Sequence, residues 1–466
     1  MSREVDEIKQ RLDIVDVVQQ YVALKKSGAN HKGLCPFHRE NSPSFMVSQT
    51  KQIWHCFGCN EGGDMFSFVQ KVEGLDFYET LKLLGDRAGV KIEKISPQVA
   101  DKKQKLREIL ELSAKFFNKI LLEHPQSDPA RSYVKERALS EETIRHFLIG
   151  YAPDTWDVLL TFLKERGFSA ADAAQAGVAV YNEERKSYYD RFRGRLTIPL
   201  RDTNGRIVGF TARAIAKDFV GGKYINTPQT ELYDKSSVVF ALSEAKQAIK
   251  DQSCVVVVEG NMDAISSHQA GIKNVVAVSG TAFTELQIAQ LKRFTDTLVF
   301  SFDADAAGMM AARRGIELAL KAGMNVKVLS LPYGKDPDEC IRKDPQLWKD
   351  AIGAAQPVMD ALIQRALKQH DQRAPDGKKK IAAEVLAILR YLPNPVEKDH
   401  YVRLLADDLQ ISASALYDVL KSQDAPATGS RPVKTEAAVA VPAANKQAKQ
   451  VISAEEGALS DLLALL

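Results

Sequence analysis

Two short ligand pairs constrain this chain more than any other feature. Cys35 and His38 form one pair, Cys56 and Cys59 the other. Each pair has two residues between its members, and 17 residues separate the pairs. A two-residue spacer lets one turn aim both side chains at one point, and four such donors satisfy the tetrahedral preference of Zn²⁺. The intervening SPSFMVS and KQIWHC runs read as strands of a small hairpin, so the segment is expected to be a zinc ribbon. A closed four-ligand site has no open position, so its single zinc is expected to fold the module, not to catalyse. His31 and His55 lie nearby without the paired spacing, and Gly58 sits inside the second knuckle. Phe45 and Trp54 either face nucleic acid or fill the ribbon core; for Phe45 the core is the reading adopted.

The remaining chain is too long for one core: 466 residues point to two to four domains. A formal charge of +3 does not mark a nucleic-acid binder, so charge has to be read locally. The first twenty residues mix charges throughout and read as an amphipathic helix, not an export signal, so the protein is expected in the cytoplasm. Of the five cysteines, Cys254 and Cys340 read as structural thiols.

Residues 1–95 are expected to form the zinc-ribbon domain and 96–110 a linker running into a helix. Residues 111–250 form the first, basic part of a mixed α/β core, and 253–335 a parallel α/β unit. Residues 336–421 form an acidic loop and a helical subdomain, 422–454 a flexible tether, and 455–466 the start of an apolar helix. The fold class is thus multidomain α+β and α/β.

In the parallel unit, three predicted strands each end in acid. VVVV (255–258) runs into Glu259, LVFSF (298–302) into Asp303 and Asp305, and NVKVLSLP (325–332) into Asp336 and Asp338. Functional groups of parallel sheets gather beyond the carboxyl ends of the strands, so Glu259, Asp303 and Asp305 should converge, flanked by Asp336 and Asp338. Asp263, one turn beyond Glu259, either faces the same cleft or caps its helix. Clustered carboxylates repel, and a hard divalent cation such as Mg²⁺ relieves that repulsion. One or two such ions, with Mn²⁺ as a substitute, would serve phosphoryl chemistry. Residues 185–235 hold 11 Lys/Arg against 5 Asp/Glu, a local excess of 6 that suits a polynucleotide track beside an acidic cleft.

A glutamate at one strand end followed by D-x-D at a later one resembles the Toprim fold. With CPFH and CFGC ahead of it, the chain resembles bacterial DNA primases from residue 1 to about 420, through YDRFRGRLTIPLRDTNGRIVGFTAR (189–213) and KYINTPQTELYDK (223–235). The resemblance implies synthesis of short RNA primers on single-stranded DNA by metal-dependent nucleotidyl transfer from NTPs. Glu259, Asp303 and Asp305 would hold Mg²⁺, or Glu259 would act as an acid/base group. Arg193, Arg195, Arg213, Lys223, Asn226 and Lys235 would contact template, RNA–DNA hybrid or NTP, and Tyr224 would stack on a base or pack. Ala304 stands where the family has Gly inside the D-x-D. The family ends in a helical domain that binds the replicative helicase; here the tether leads only to EEGALSDLLALL, so most of that domain is expected to be missing, and the chain is expected to act as a monomer. Two rivals remain. A Toprim topoisomerase or nuclease would cleave strands, and an inert zinc-ribbon binder would lack Mg²⁺ binding. No G-x-x-x-x-G-K-[ST] loop is present, so a fused helicase is not expected.

Overall fold

The amphipathic start of the chain forms two helices, Ser2–Arg11 and Ile14–Gln19. Asp13 divides them: its backbone is extended and its carboxylate accepts the Val15 N–H at 2.8 Å, an N-cap that restarts the helix. A computed structural model describes residues 2–38, 40, 42–73, 75, 77–90, 97–216, 221–278, 283–301 and 306–424. Its contacts divide into two compact units, one ending at Val358 and one beginning at Met359.

Five antiparallel strands in sequential order follow the first helices: β1 (Lys25–Ser27), β2 (Asn30–Gly33), β3 (Phe45–Ser48), β4 (Ile53–Cys56) and β5 (Gly62–Gly63). Phe45 pairs with Cys56 and Val47 with Trp54, and all four side chains are buried on one face. There the rings of Phe37, Phe45, Trp54 and Phe68 lie with centroids 4.9–6.3 Å apart. Phe45 and Trp54 are therefore both core, and neither is available to nucleic acid. Helices Met65–Glu73 and Phe77–Ala88 close the module.

Of the segment 96–110, expected to be a linker running into a helix, residues 97–110 belong to one continuous helix, Pro97–Glu123. Proline at a first helical position loses only a donor that has no partner there. Leu106, Ile109, Leu110, Ala114, Phe117 and Leu121 recur at helical spacing and are buried. The charges that suggested a linker lie on the outer side, where Lys102 pairs with Glu231 and Lys105 with Asp172.

Next come β6 (Gly150–Ala152), a separate hairpin of β7 (Ala179–Asn182) and β8 (Ser187–Asp190), then β9 (Arg195–Arg201), β10 (Ile207–Ala214) and β11 (Tyr224–Asn226). The antiparallel sheet has the order β11-β10-β9-β6. A second sheet, in the order β13-β12-β14-β15-β16, is built from β12 (Val255–Val258), β13 (Val275–Ala277), β14 (Thr297–Phe300), β15 (Asn325–Val328) and β16 (Gln356–Pro357). All its pairings are parallel except β15–β16. The four valines of β12 are fully buried, as expected of a central parallel strand covered on both faces.

Helices Pro337–Lys343 and Pro345–Gly353 belong to the first unit, so the expected 336–421 subdomain is split. The physical reason is the buried carboxylate of Asp338, which ties the first of these helices to Ser266 on helix Asn261–Gln269 and to Arg137. The second unit contains helices Pro375–Leu389, Pro395–Leu409 and Ala413–Asp424 after the one that starts at Val358. Asn394 caps the helix that Pro395 opens. The proposed tether beyond Asp424 and the segment 455–466 lie outside the described residues. Among the described residues, no helix is long and apolar enough to cross a membrane.

Candidate functional site

The ribbon brings together the two pairs that the sequence singled out. One donor atom from each of Cys35, His38, Cys56 and Cys59 lies within 4.8 Å of all the others. Cys35 Sγ is 3.9 Å from Cys59 Sγ, and Cys56 Sγ is 3.7 Å from His38 Nδ1. A tetrahedron with zinc–ligand bonds of about 2.0–2.3 Å has edges of about 3.3–3.8 Å, so the donors fit Zn²⁺ almost as they stand. Burial pushes the Cys35 and Cys59 thiols up, and the Cys56 sulfur adds to the rise in both. Burial opposes ionisation of Cys56 too, but Ser44 Oγ and the backbone N–H groups of Cys59 and Gly58 outweigh it and lower that thiol. Three crowded sulfurs of this kind need a bound cation to stay together as thiolates. Gly58 is required: a Cβ there would lie 2.5 Å from His38 Nε2.

Glu40, which the sequence reading missed, organises this knuckle. Its Oε1 accepts the N–H groups of Cys35 at 2.8 Å and Ser44 at 3.0 Å, and Ser44 Oγ donates to Oε2. Oε2 also lies 3.4 Å from His38 Nε2, which leaves Nδ1 to face the sulfurs. Burial works against the Glu40 carboxylate, but the Ser44 and Cys35 donors hold its pKa below the usual range. A carboxylate behind a ligating histidine fixes tautomer and ring orientation, and losing it costs about 10–100-fold in metal affinity. Glu40→Ala is expected to weaken zinc binding by about that factor, read by competition with a chromophoric chelator. The available signal was an acid two residues after a ligand histidine.

Glu259 follows the last residue of β12, at its carboxyl end. Register pairs Val257 with Phe300 of β14, and Ser301 N–H donates to Val257 O at 3.0 Å. The chain thus passes beside the Glu259 turn two residues before Asp303. Asp303, Ala304 and Asp305 lie outside the described residues.

The flanking acids are engaged elsewhere. Asp263 accepts the Gly260 N–H at 3.1 Å and the Asp338 N–H at 3.2 Å, so of its two readings the structure shows the cap. A Cβ at Gly260 would meet Asp263 Oδ2 at 2.6 Å. Asp338, expected to flank an open cleft, is fully buried. Its carboxylate takes the hydroxyl of Ser266 and the guanidinium groups of Arg137 and Arg342. Two guanidinium groups already neutralise it. Asp336 caps helix Pro337–Lys343 through the Glu339 N–H at 2.8 Å.

The basic residues divide in the same way. Arg195 is 3% exposed and donates to the carbonyls of Ala212, Gly222 and Lys223; it holds a loop and is not a surface contact. Arg213 and Tyr224 are cross-strand partners, so their side chains share one face, and Tyr224 is half exposed. The Arg213 guanidinium lies 4.1 Å from the Tyr133 ring centroid, and that of Arg137 lies 5.4 Å from it. This stack runs from the basic sheet to the Asp338 carboxylate. Lys223 is exposed, Lys235 half-buried, and the Asn226 carbonyl accepts from Arg191. Arg193 stacks 4.1 Å over Trp156, which is 52% exposed and packs against Tyr189. Neither Trp156 nor Tyr133 carries a motif that would have singled it out. On the ribbon, Lys32, Met46 and His55 form one row of the outer face, with exposed Phe57 against His55.

Four families match along the chain in succession: the CHC2 zinc finger over residues 1–100, the N-terminal domain of the DNA primase catalytic core over 116–246, a Toprim-like domain over 256–341, and the DnaB-helicase binding domain of primase over 362–414. A DNA primase of Clostridium acetobutylicum is 37% identical over 424 residues, covering 90% of this chain and 70% of the relative. The chain belongs to the bacterial DNA primase family. Its activity is that of a DNA-directed RNA polymerase, a nucleotidyltransferase. The crystal structure of the zinc-binding and RNA polymerase domains of the Aquifex aeolicus primase superposes with a TM-score of 0.60 at 32% identity, covering 89% of this chain and 98% of that one. A DnaG primase catalytic domain solved bound to single-stranded DNA gives 0.59 at 32% identity over 68% and 99% of the two chains. These matches correct one expectation: the helicase-binding segment is not missing. It matches 362–414, inside the helices expected to form a helical subdomain over 336–421. Those helices carry no motif with a chemistry of its own, so the sequence pattern could not separate them from a polymerase subdomain.

Proposed function

We propose that this primase makes short RNA primers on single-stranded DNA at the carboxyl end of its parallel sheet, with Glu259, Asp303 and Asp305 as the Mg²⁺-holding acids. The supporting observation is the position of Glu259 at the end of a fully buried strand, beside the strand that leads into Asp303. An all-carboxylate donor set suits a hard divalent cation, which when bound lowers the pKa of the attacking hydroxyl and offsets phosphate charge. The 3′-hydroxyl of the primer forms a new bond to the α-phosphorus as the bond to pyrophosphate breaks. The protein's own part is to hold the reacting groups in place. Arg213, Lys223, Tyr224 and Arg193 with Trp156 form the template track, where cations meet phosphates and exposed rings stack on bases. The ribbon's outer face, with Lys32, His55 and Phe57, engages the template at initiation. Asp263 and Asp338 shape the Glu259 turn from behind. The helices matching the helicase-binding domain dock a replicative helicase, which places the enzyme at cytoplasmic replication forks.

The test is incorporation of labelled ribonucleotides on single-stranded DNA with Mg²⁺. Short RNA products that require template and divalent cation support the reading. Strand cleavage without incorporation would turn it toward the topoisomerase or nuclease alternative.

A further inference from the structure

The proposed reaction makes no use of Asp190, the last residue of β8, although it is 2% exposed and carries an acid into the core. Its carboxylate accepts the N–H groups of Leu159 at 2.8 Å and Leu160 at 3.0 Å. These are first-turn donors of helix Val158–Glu165, whose own N-cap, Asp157, makes no side-chain cap hydrogen bond. The cap is therefore supplied by a different element. The Asp190 main chain adds two further bonds: its N–H donates to the Trp156 carbonyl at 2.7 Å, and its carbonyl accepts Arg193 Nη1 at 2.9 Å. One residue thus fixes the start of the helix that follows Trp156, the Trp156 backbone and the Arg193 guanidinium. The side chains of Trp156, Arg193 and Tyr189 meet in front of it, with the guanidinium 4.1 Å from one ring centroid and 5.0 Å from the other. Burial pushes the Asp190 carboxyl up to about 7, with Asp157 adding to the rise and the two N–H donors and Arg193 opposing it. A buried acid is a costly way to fill space, and the groups it holds explain its presence.

We propose that Asp190 is a positioning residue for template binding, holding Trp156 and Arg193 as a rigid surface on which one base of the single strand stacks. The proposal rests on the reading that this face tracks the template. A surface ordered before binding loses less entropy when the base arrives.

The experiment measures binding of fluorescein-labelled oligothymidylate to the full, zinc-loaded chain in wild type, Trp156→Ala, Asp190→Ala, Asp190→Asn and the corresponding double variants. Trp156→Ala is expected to weaken binding about tenfold, the scale of one lost base stack. Asp190→Ala should weaken it similarly, and the double variant should be no weaker than either single, because both remove the same surface. Asp190→Asn retains one acceptor oxygen and should lose about threefold. The KM for NTP in extending a pre-annealed primer should not move, which a general structural defect would not spare. Unchanged binding by Trp156→Ala overturns the template-face reading itself. Weakened binding by Trp156→Ala with wild-type binding by both Asp190 variants overturns the Asp190 role alone, as does additivity in the double variant. If Asp190→Ala does not fold, the cycle built on Asp190→Asn gives the same decision.

Discussion

Glu259→Gln is expected to lower ribonucleotide incorporation by about 10³-fold, equivalent to about 4 kcal/mol of transition-state stabilisation, while leaving the fold and DNA affinity intact. The size follows from what the residue would contribute. A carboxylate that holds a cation against the triphosphate acts most strongly where negative charge develops, and the isosteric amide removes that charge without changing shape. The fold should survive because Glu259 lies past the end of β12, whose four buried valines the change does not touch. The position of the turn should also survive, since it is fixed by Gly260 N–H on Asp263 and Asp338 N–H on the same carboxylate. Asp303→Ala should match Glu259→Gln if both hold the same ion. The check is labelled-nucleotide incorporation beside oligonucleotide binding and thermal unfolding. Full activity in Glu259→Gln would move the reaction away from this strand end. Loss of activity accompanied by loss of the folded state would leave the residue with a structural role only.

Removing zinc, by strong chelation or by Cys56→Ser, is expected to unfold the ribbon and spare the rest of the chain. Structural zinc in small modules contributes about 10 kcal/mol or more of folding free energy, more than a core of this size has in reserve. Cys56 is fully buried and pairs across the sheet with Phe45, so the metal centre and the aromatic core share a strand. Trp54 reports the change: it is 1% exposed, stacked 5.4 Å from Phe45, and donates its indole N–H to Asp64 O at 3.1 Å. Its emission should shift to the red when the ribbon opens. Trp348 is fully buried and bonds Ser267 Oγ at 3.1 Å, so its contribution should stay unchanged. Chelator-released zinc should amount to one ion per chain, and priming on single strands should fall while extension of pre-annealed primers persists. Native Trp54 emission in a Cys56→Ser chain that has lost its zinc would show that the aromatic core stands without the metal.

The elements that the sequence made legible are those whose causes are local. The C-x₂-H and C-x₂-C spacings carry their own geometry, because a turn of that length can only bring its two side chains together. The strands near 255 and 298 were visible because a buried parallel strand needs an unbroken apolar run, and β12 and β14 lie there; β14 ends at Phe300, and the run expected over 325–332 is strand only to Val328, which leaves Asp336 well past its end. Family membership followed from these motifs and their order. The linker misreading at 96–110 came from counting charges without the helical stripe beneath them, and the helicase-binding segment was missed because its helices carry no chemistry-bearing pattern.

By itself, then, the sequence determined the zinc donors and the order of zinc ribbon, catalytic core and Toprim-like module, since each depends on residues a few positions apart. Tertiary structure alone decided which charges face solvent and which serve the fold. Arg195 and Arg213 lie in the same basic stretch, yet one is buried against three carbonyls and the other stacks on Tyr133. Asp338 meets Arg137 across 201 residues and Ser266 across 72, and Asp190 meets the start of helix Val158–Glu165 across 31. The reason is physical: a buried charge persists only where partners satisfy it, and those partners come from elements that only the complete fold brings together.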